Sequence, residues 1–217
     1  MKKAIVIGST GLVGTQLVQL LLRNNFFTEI LSLVRRPTGL KHSKLTEKVI
    51  DFDLPDTWGN LIDGDVLFST LGTTLADAKS KTAQFEVDFI YQYNVAQAAA
   101  NNGVSNYVLV SSAGADPSSK SFYLSMKGKL ENSVQKLPFE NISIIRPGQL
   151  AGERKSERYG EKIGLKLMTG LNKLGLLKKY RPIHSSLVAT AMINAANKRN
   201  SSTYTLTEVF SLAKEVG

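Results

Sequence analysis

The sequence predicts a doubly wound α/β fold, in which helices cover both faces of a parallel sheet. Short runs rich in Val, Ile and Leu alternate with helical patterns along the chain, as expected for strands that are buried on both faces. A glycine-rich turn joins the first run to the first helix. Several later runs end directly in glycine, arginine or serine, at the carboxyl ends where ligands bind in such sheets.

The predicted elements follow one another in a regular order. The first strand, over 4–7, leads into a helix whose apolar positions recur at helical spacing from Leu12 to Leu21. A long helix over 76–102 ends at Asn101-Asn102-Gly103, which is a typical C-terminal stop. The remaining strands are predicted over 29–34, 49–54, 65–70, 107–112, 141–145 and 203–206, and the remaining helices over 121–137, 185–197 and 208–215.

The length of the chain indicates one folded unit. With 217 residues we expect a single domain over 1–217, in which about 149–182 and 200–217 form a small C-terminal part on the substrate side.

The stretch 154–181 contains much of the excess of basic residues that gives the chain its net charge of +9. It predicts a core-facing helix with a solvated basic side, and the alternative is a helix that lies on a membrane or a partner.

The composition also excludes several classes of function. The chain has no cysteine and two histidines, so we expect no disulfide, no thiol nucleophile and no metal site. The basic charge is not accompanied by a helix-turn-helix, RRM or zinc-finger pattern, which argues against nucleic acid as a partner. No apolar run has the length of a transmembrane span, and the N-terminus lacks a signal-peptide pattern. These features predict a cytoplasmic location.

Gly8, Gly11 and Gly14 stand three residues apart between the first strand and the first helix. A helix N-terminus offers unpaired N–H groups and a partial positive charge, and it therefore binds phosphate. Gly8 allows a turn that a Cβ atom would block, and Gly11 allows the backbone to approach a pyrophosphate closely. Gly14 allows the helix to pack tightly on the strand. The turn predicts a dinucleotide coenzyme.

Arg35 and Arg36 follow the second predicted strand, about 20 residues beyond the glycines, where an NAD site places an acidic residue on the adenosine ribose. Guanidinium groups suit a 2′-phosphate, which an acidic residue would repel. The pair therefore favours NADP (NADPH) over NAD. The alternative is that both arginines are solvated loop residues.

Tyr123 and Lys127 lie four residues apart on a predicted helix, so they project from the same face. A phenol ordinarily has a pKa of about 10, and a neighbouring ammonium favours the phenolate. Tyr123 is thus a candidate general acid/base, and a hydroxyl from Ser112, at the end of the fifth strand, is a candidate to hold a substrate oxygen. The expected chemistry is hydride transfer between a nicotinamide and a small carbonyl or alcohol.

Four motifs follow one another along nearly the whole chain: Gly8-x-x-Gly11-x-x-Gly14, Ser111-Ser112-Ala113-Gly114, Tyr123-x-x-x-Lys127 and Arg146-Pro147-Gly148. Together they resemble the short-chain dehydrogenase/reductase superfamily, and the glycine spacing resembles its extended and atypical branches. Within them the chain is most similar to the Tat-interacting-protein group of NADPH-binding oxidoreductases and to bacterial epimerase-like NAD(P)-binding proteins. The resemblance implies a Rossmann-type fold, an NADP-dependent oxidoreductase and, since helices beside the Tyr–Lys element often form dimer faces, a homodimer.

The resemblance also implies roles for individual residues. Ser112 matches the serine that orients the substrate, with Ser111 as the fallback, and Tyr123 matches the general acid/base. Lys127 matches the lysine that binds the nicotinamide ribose hydroxyls and favours the phenolate. The implied cofactor-binding residues are Gly8, Thr10, Gly11, Leu12, Val13 and Gly14 in the pyrophosphate turn, Arg35 and Arg36 at the 2′-phosphate, Asp53 and Leu54 beside the adenine, Leu71, Gly72 and Thr73 beside the cofactor ribose, Ser111, Tyr123 and Lys127, and Pro147 and Gly148 near the nicotinamide amide.

The chain departs from the superfamily in three places. The segment 71–74 stands where the typical single-domain branch has Asn-Asn-Ala-Gly, and the helix asparagine of that branch's proton relay has Asp88 and Asn94 as its candidates. About 70 residues follow Pro147, too few for the sugar-nucleotide domain of extended members. Two alternatives to the oxidoreductase remain: a non-catalytic NADP-binding redox sensor or regulatory protein, and an epimerase or isomerase that uses bound cofactor.

Overall fold

The computed structural model describes residues 1–151, 181–198 and 200–215. Within these ranges the strands are β1 (Lys2–Ile7), β2 (Phe27–Val34), β3 (Leu45–Val49), β4 (Val66–Ser69), β5 (Asn106–Val110), β6 (Asn141–Arg146), β7 (Leu150–Ala151), β8 (Ile183–His184) and β9 (Ser202–Thr205). The helices are α1 (Leu12–Arg23), α2 (Leu75–Ala78), α3 (Lys81–Phe85), α4 (Tyr91–Asn101), α5 (Phe122–Val134), α6 (Ser185–Ala195) and α7 (Thr207–Ala213). A π-helical turn over Glu86–Ile90 leads into α4, and short 3-10 turns cover Pro55–Thr57 and Gly59–Leu61.

Seven of the described strands form one sheet in the order β3-β2-β1-β4-β5-β6-β9, and every neighbouring pair is parallel. The strand order reverses between β1 and β4, which opens a crevice at the carboxyl ends of these two strands. β7 and β8 form a separate parallel pair that joins Leu150 to Ile183. This architecture confirms the predicted doubly wound, Rossmann-type fold.

Apolar side chains cover both faces of the sheet. On one face α1, α6 and α7 pack through buried residues such as Leu17, Met192 and Val209. On the other face α4 and α5 contribute buried residues such as Val95 and Leu130. Successive side chains of a strand point to opposite faces, so an unbroken apolar strand such as β1 supplies both clusters.

The third strand differs from its prediction. It spans Leu45–Val49, whereas the sequence predicted a strand over 49–54. β3 is the edge strand and is largely exposed, so its residues are mostly polar and lack the apolar signature of the central strands. The apolar residues after it belong to a loop, in which the Phe52 ring packs against Trp58 and stacks on Tyr91.

The long helix predicted over 76–102 is interrupted. Lys79 ends α2 in the left-handed conformation, with φ +66°, and the Ser80 hydroxyl caps α3 by accepting the Ala83 N–H at 3.0 Å. The π-helical turn then joins α3 to α4. As a result, side chains of the segment 81–90 lie beside the loop that follows β4, where Gln84 and Asp88 bind the backbone of Thr73.

The structure describes only some of the predicted substrate-side part. β9 pairs with β6 at the sheet edge, and α7 packs against α6. The basic stretch 154–181 lies outside the described residues apart from Arg181. In the described ranges, no helix has the length and apolar character needed to cross a membrane, and no group of three or more His, Asp or Glu side chains is arranged to hold a metal ion.

Candidate active site

A cleft of about 1300 Å³ lies at the carboxyl ends of the central strands. Most of the predicted site residues line it: Thr10, Gly11, Leu12, Val13, Leu71, Gly72, Thr73, Ser111, Ser112, Tyr123, Lys127, Pro147 and Gly148. The predicted residues outside its lining are Gly8 and Gly14, which belong to the glycine turn itself, and Arg35, Arg36, Asp53 and Leu54. The fold therefore brings the predicted pyrophosphate, ribose, nicotinamide and catalytic residues to one cleft.

The glycine turn has a geometry that only bare backbone allows. Gly8 has φ +79°, and a Cβ atom there would overlap the backbone nitrogen of Leu71. A Cβ atom at Gly14 would overlap the Gly8 carbonyl oxygen, and the Gly11 N–H donates to that same oxygen at 2.9 Å. No described side chain caps the start of α1 at Leu12. Its first N–H groups are therefore available to a phosphate.

A buried ion pair joins α5 to the π-helical turn before α4, and this turn also binds the loop after β4. Lys127 Nζ lies 3.3 Å from Asp88 Oδ1, and the two side chains are 4% and 2% exposed. Asp88 Oδ2 accepts the Thr73 N–H at 2.7 Å. Gly72 leaves room for the carboxylate, because a Cβ atom at this position would lie 3.2 Å from Asp88 Oδ1. Both charged side chains line the cleft.

A second buried carboxylate organises the ends of β5 and β6. Glu131, on α5, accepts hydrogen bonds from the Ser111 hydroxyl and the Arg146 guanidinium, whose Nε lies 3.0 and 3.1 Å from the two carboxylate oxygens. This hydrogen bonding raises the pKa of Arg146. Glu131 thus engages the Ser111 hydroxyl, whereas the neighbouring Ser112 also lines the cleft. Its hydroxyl makes one long contact, 3.4 Å to the Ala113 carbonyl.

Tyr123 lies in the first turn of α5. The Ser121 hydroxyl caps this helix by accepting the Leu124 N–H. Tyr123 is 38% exposed and lines the cleft with Ser112 and Lys127. A phenol, a hydroxyl and an ammonium in one cleft are suited to hold a substrate oxygen and to transfer a proton to it.

The residues predicted at the adenosine end are more dispersed. Arg35 and Arg36 are exposed beyond β2, and neither forms an ion pair within the described part of the chain. Asp53 Oδ1 accepts a hydrogen bond from the Tyr91 hydroxyl at 2.6 Å, and burial, together with Asp53, raises the pKa of Tyr91. Leu54 is 53% exposed.

Other cleft residues were not predicted from the sequence. On the side of β2 and β3 the Ser32 hydroxyl donates to the Ser9 hydroxyl at 2.8 Å, and Glu47 accepts the Thr38 N–H at 3.1 Å together with the Thr38 hydroxyl. These four residues line the cleft. Glu131, on α5 outside the cleft lining, was also missed: its spacing of four residues from Lys127 places both on one helix face but does not reveal its partners on β6 and after β5.

Comparison with known proteins identifies the family. The family described as NAD(P)H-binding matches residues 8–199, a range that includes the glycine turn and the cleft residues named above. The chain belongs to this family. Protein FMP52, mitochondrial, of Meyerozyma guilliermondii is 40% identical over 158 residues, which cover 71% of this chain and 67% of the relative. The protein of the same name from Emericella nidulans is 33% identical over 206 residues, covering 91% and 88%.

Solved structures share the fold at low sequence identity. The enzyme WbmH of Bordetella bronchiseptica, in complex with NAD+, has a TM-score of 0.71 at 17% identity and covers 94% of this chain and 76% of its own. The UDP-N-acetylglucosamine 4-epimerase from Bacillus cereus has a TM-score of 0.71 at 19% identity, covering 97% and 84%. With the family match, these neighbours support membership of an atypical superfamily of NAD(P)-binding proteins related to the short-chain dehydrogenases/reductases.

The relatives correct one expectation. The FMP52 proteins are named as mitochondrial, which contradicts the predicted cytoplasmic location. That prediction rested on the absence of a recognisable signal at the N-terminus and of a transmembrane run. An absence of this kind does not identify a compartment, and the prediction was wrong for that reason.

Proposed function

We propose that this protein is an NADP-dependent oxidoreductase that transfers hydride to or from a small carbonyl or alcohol, with Tyr123 as the general acid/base. One observation supports the proposal above all: a single cleft of an NAD(P)H-binding fold is lined by the phosphate turn and by Ser112, Tyr123 and Lys127. The proposed reaction requires the coenzyme, which the turn would hold, and the proton donor Tyr123 to reach the same substrate molecule, so both must belong to one cleft.

The residues of the cleft fit a dinucleotide coenzyme. The turn presents bare backbone and free N–H groups at Leu12 and Val13, as a pyrophosphate requires. The Lys127 ammonium would bind the nicotinamide ribose hydroxyls. Gly72 would lie beside that ribose, and Gly148 would lie beside the nicotinamide ring. The volume of about 1300 Å³ exceeds the roughly 300–1,000 Å³ of an ordinary small-molecule pocket, which leaves room for a coenzyme and a small reactant.

In the proposed reaction a bound nicotinamide supplies or accepts the hydride. During reduction the Tyr123 hydroxyl gives its proton to the substrate oxygen, and during oxidation the phenolate takes the proton from the alcohol. The Ser112 hydroxyl donates a hydrogen bond to the same oxygen and orients it. The Lys127 ammonium would bind the nicotinamide ribose beside these groups, and Asp88 Oδ1 lies 3.3 Å from its Nζ atom.

The preference for NADP is inferred from Arg35 and Arg36. Both lie at the end of β2, exposed and without an ion-pair partner among the described residues, so their guanidinium groups are free to attract an anion. A 2′-phosphate is the anion that distinguishes NADP from NAD at this end of such a site. Its negative charge and its pairs of neighbouring oxygens suit bidentate binding by the planar guanidinium of arginine.

The decisive experiment is a calorimetric titration with NADPH and with NADH, followed by a panel of small aldehydes, ketones and alcohols with the tighter coenzyme. We expect NADPH to bind about tenfold more tightly or better, which corresponds to about 1.4 kcal/mol. Equal affinities would contradict the assignment of NADP. Tight coenzyme binding without turnover of any compound in the panel would favour the alternative of a redox sensor or regulatory protein.

A further inference from the structure

We infer that Asp88 is a positioning residue, which fixes Lys127 and the loop after β4 in one arrangement and thereby aligns the nicotinamide half of the coenzyme. The inference rests on the proposed NADP-dependent function. Asp88 lies in the π-helical turn over Glu86–Ile90, which joins α3 to α4 beside the cleft. Short π-helical turns of this kind are frequent at functional sites.

The burial of this pair argues for a function. Asp88 and Lys127 are 2% and 4% exposed, and burying either charge alone is strongly unfavourable. A well-packed apolar pair of similar size is often as stable as a buried ion pair or more so. Stability alone therefore gives little reason to place a carboxylate here. A carboxylate is required, however, if Lys127 must stay charged and fixed beside the reacting groups.

Asp88 is itself held by both its side chain and its backbone. Its carboxylate binds Lys127 Nζ at 3.3 Å and the Thr73 N–H at 2.7 Å. Its carbonyl oxygen accepts a hydrogen bond from Gln92 Nε2 at 2.7 Å, and Gln92 Oε1 accepts one from the Ser69 hydroxyl at 2.7 Å. The π-helical turn is therefore anchored to β4, so the carboxylate has a defined position relative to the sheet.

Two proposed coenzyme contacts meet at this carboxylate. Gly72 and Thr73 belong to the wall beside the cofactor ribose, and Lys127 is the proposed donor to the ribose hydroxyls. An ammonium has three donors, so one bond to Asp88 leaves two for a pair of hydroxyls. Without its anchor, the long Lys127 side chain would regain rotamer freedom, and coenzyme binding would have to restrict it again.

Two substitutions at Asp88 separate charge from hydrogen bonding. Asp88→Asn keeps an acceptor for the Thr73 N–H and removes the charge, whereas Asp88→Ala removes both. We expect the Kd of NADPH to rise about tenfold in Asp88→Asn and further in Asp88→Ala, with loss of the fluorescence enhancement that a held nicotinamide gives. The Kd of 2′,5′-ADP, which contains only the adenosine half, should stay within about twofold, since Asp88 touches neither the turn nor Arg35.

Asp65→Asn is the matched control, because Asp65 also accepts a backbone N–H, from Lys3 at 2.6 Å, but lies outside the cleft lining. Both affinities should be unchanged in it. If Asp88→Asn does not fold, Gln92→Ala tests the same point: Gln92 lies outside the cleft lining and holds the Asp88 carbonyl at 2.7 Å, so its loss should weaken NADPH more than 2′,5′-ADP.

Equal weakening of NADPH and 2′,5′-ADP in Asp88→Asn would show a merely structural role and overturn the inference, as would an unchanged NADPH affinity. These readouts require no turnover. A wild-type protein that binds NADPH, shows the expected difference between the two ligands and reduces no carbonyl would support Asp88 as a positioning residue while refuting the proposed catalysis.

Discussion

At the residue scale, the proposal assigns proton transfer to one atom, the Tyr123 hydroxyl oxygen. Tyr123→Phe removes that oxygen and keeps the ring in the first turn of α5. We expect NADPH affinity to stay within about twofold and turnover to fall roughly 10²–10⁴-fold, the usual contribution of general acid/base catalysis. Steady-state rates and calorimetry measure the two effects. Tyr204→Phe, on β9 outside the cleft lining, is the matched control, and a Tyr123→Phe enzyme with full turnover would refute the assignment.

Coenzyme choice also depends on single residues. Arg35→Ala removes a guanidinium at the end of β2, and we expect the Kd of NADPH to rise about tenfold while that of NADH changes less than about twofold, because only NADPH carries the 2′-phosphate. Arg23→Ala, at the exposed end of α1, controls for the general loss of one positive charge. Parallel losses for both coenzymes in Arg35→Ala would reject the 2′-phosphate assignment.

The residues predicted from the sequence are those whose relation is local. The glycines of one turn, and Tyr123 and Lys127 on one helix, are brought together by short-range geometry, which spacing reveals. Glu131 and Asp88 act through partners on other elements, Arg146 of β6 and Thr73 after β4. Spacing along the chain does not contain such contacts, so Glu131 was missed and Asp88 was only a candidate for a different role.

At the scale of elements, the packing of α1 on β1 depends on Gly14. A Cβ atom there would overlap the Gly8 carbonyl oxygen, so Gly14→Ala must push α1 away from the turn. We expect a loss of about 1–3 kcal/mol in the free energy of unfolding, as in other overpacked sites, and at least about a tenfold loss of NADPH affinity. Urea unfolding and calorimetry give the two values. Gly59→Ala should be nearly neutral, since its methyl group would lie 3.8 Å from the nearest atom, Ala98 Cβ.

Glu131 connects three elements, because it lies on α5 and binds Ser111 after β5 and Arg146 of β6. Glu131→Gln would leave the partly buried guanidinium without its counter-charge, and we expect a loss of about 3–5 kcal/mol in the free energy of unfolding, measured with urea. Glu215→Gln, which breaks the exposed ion pair with Lys198, should cost at most about 1 kcal/mol. Similar effects of the two substitutions would mean that Glu131 does not organise these strand ends.

Element boundaries show where periodicity fails as a guide. The apolar pattern runs through 76–102, yet the chain breaks at Lys79 and Ser80, whose backbone conformations the pattern does not report. β3 was misplaced because it is a polar edge strand without an apolar pattern. The apolar run that was predicted as the strand belongs instead to the following loop, where Phe52 stacks on Tyr91. The central strands were predicted well because burial on both faces leaves a continuous apolar signature.

At the scale of the whole molecule, the cleft exists because the strand order reverses between β1 and β4. Its lining comes from the turn before α1, the loop after β4, the first turns of α5 and the segment after β6, so both halves of the sheet contribute. This arrangement follows from the right-handed crossovers of a doubly wound sheet, and for that reason the sequence could predict where the cleft lies. The identity of the substrate depends on side chains around the rest of the cleft, for which no such rule exists.

A ligand that spans this cleft should stabilise the chain as one unit. At an NADPH concentration of 100 times the Kd, binding to the native state alone adds about 2.7 kcal/mol, which should raise the melting temperature by roughly 5–10 °C at about 2–4 °C per kcal/mol for a chain of this size. Differential scanning calorimetry should show one transition that moves as a whole. The Gly14→Ala variant should show at most about half that shift at the same concentration, because a tenfold weaker affinity leaves about 1.4 kcal/mol of stabilisation. Two transitions, only one of which responds to NADPH, would contradict the view that the two halves of the sheet share one coenzyme site.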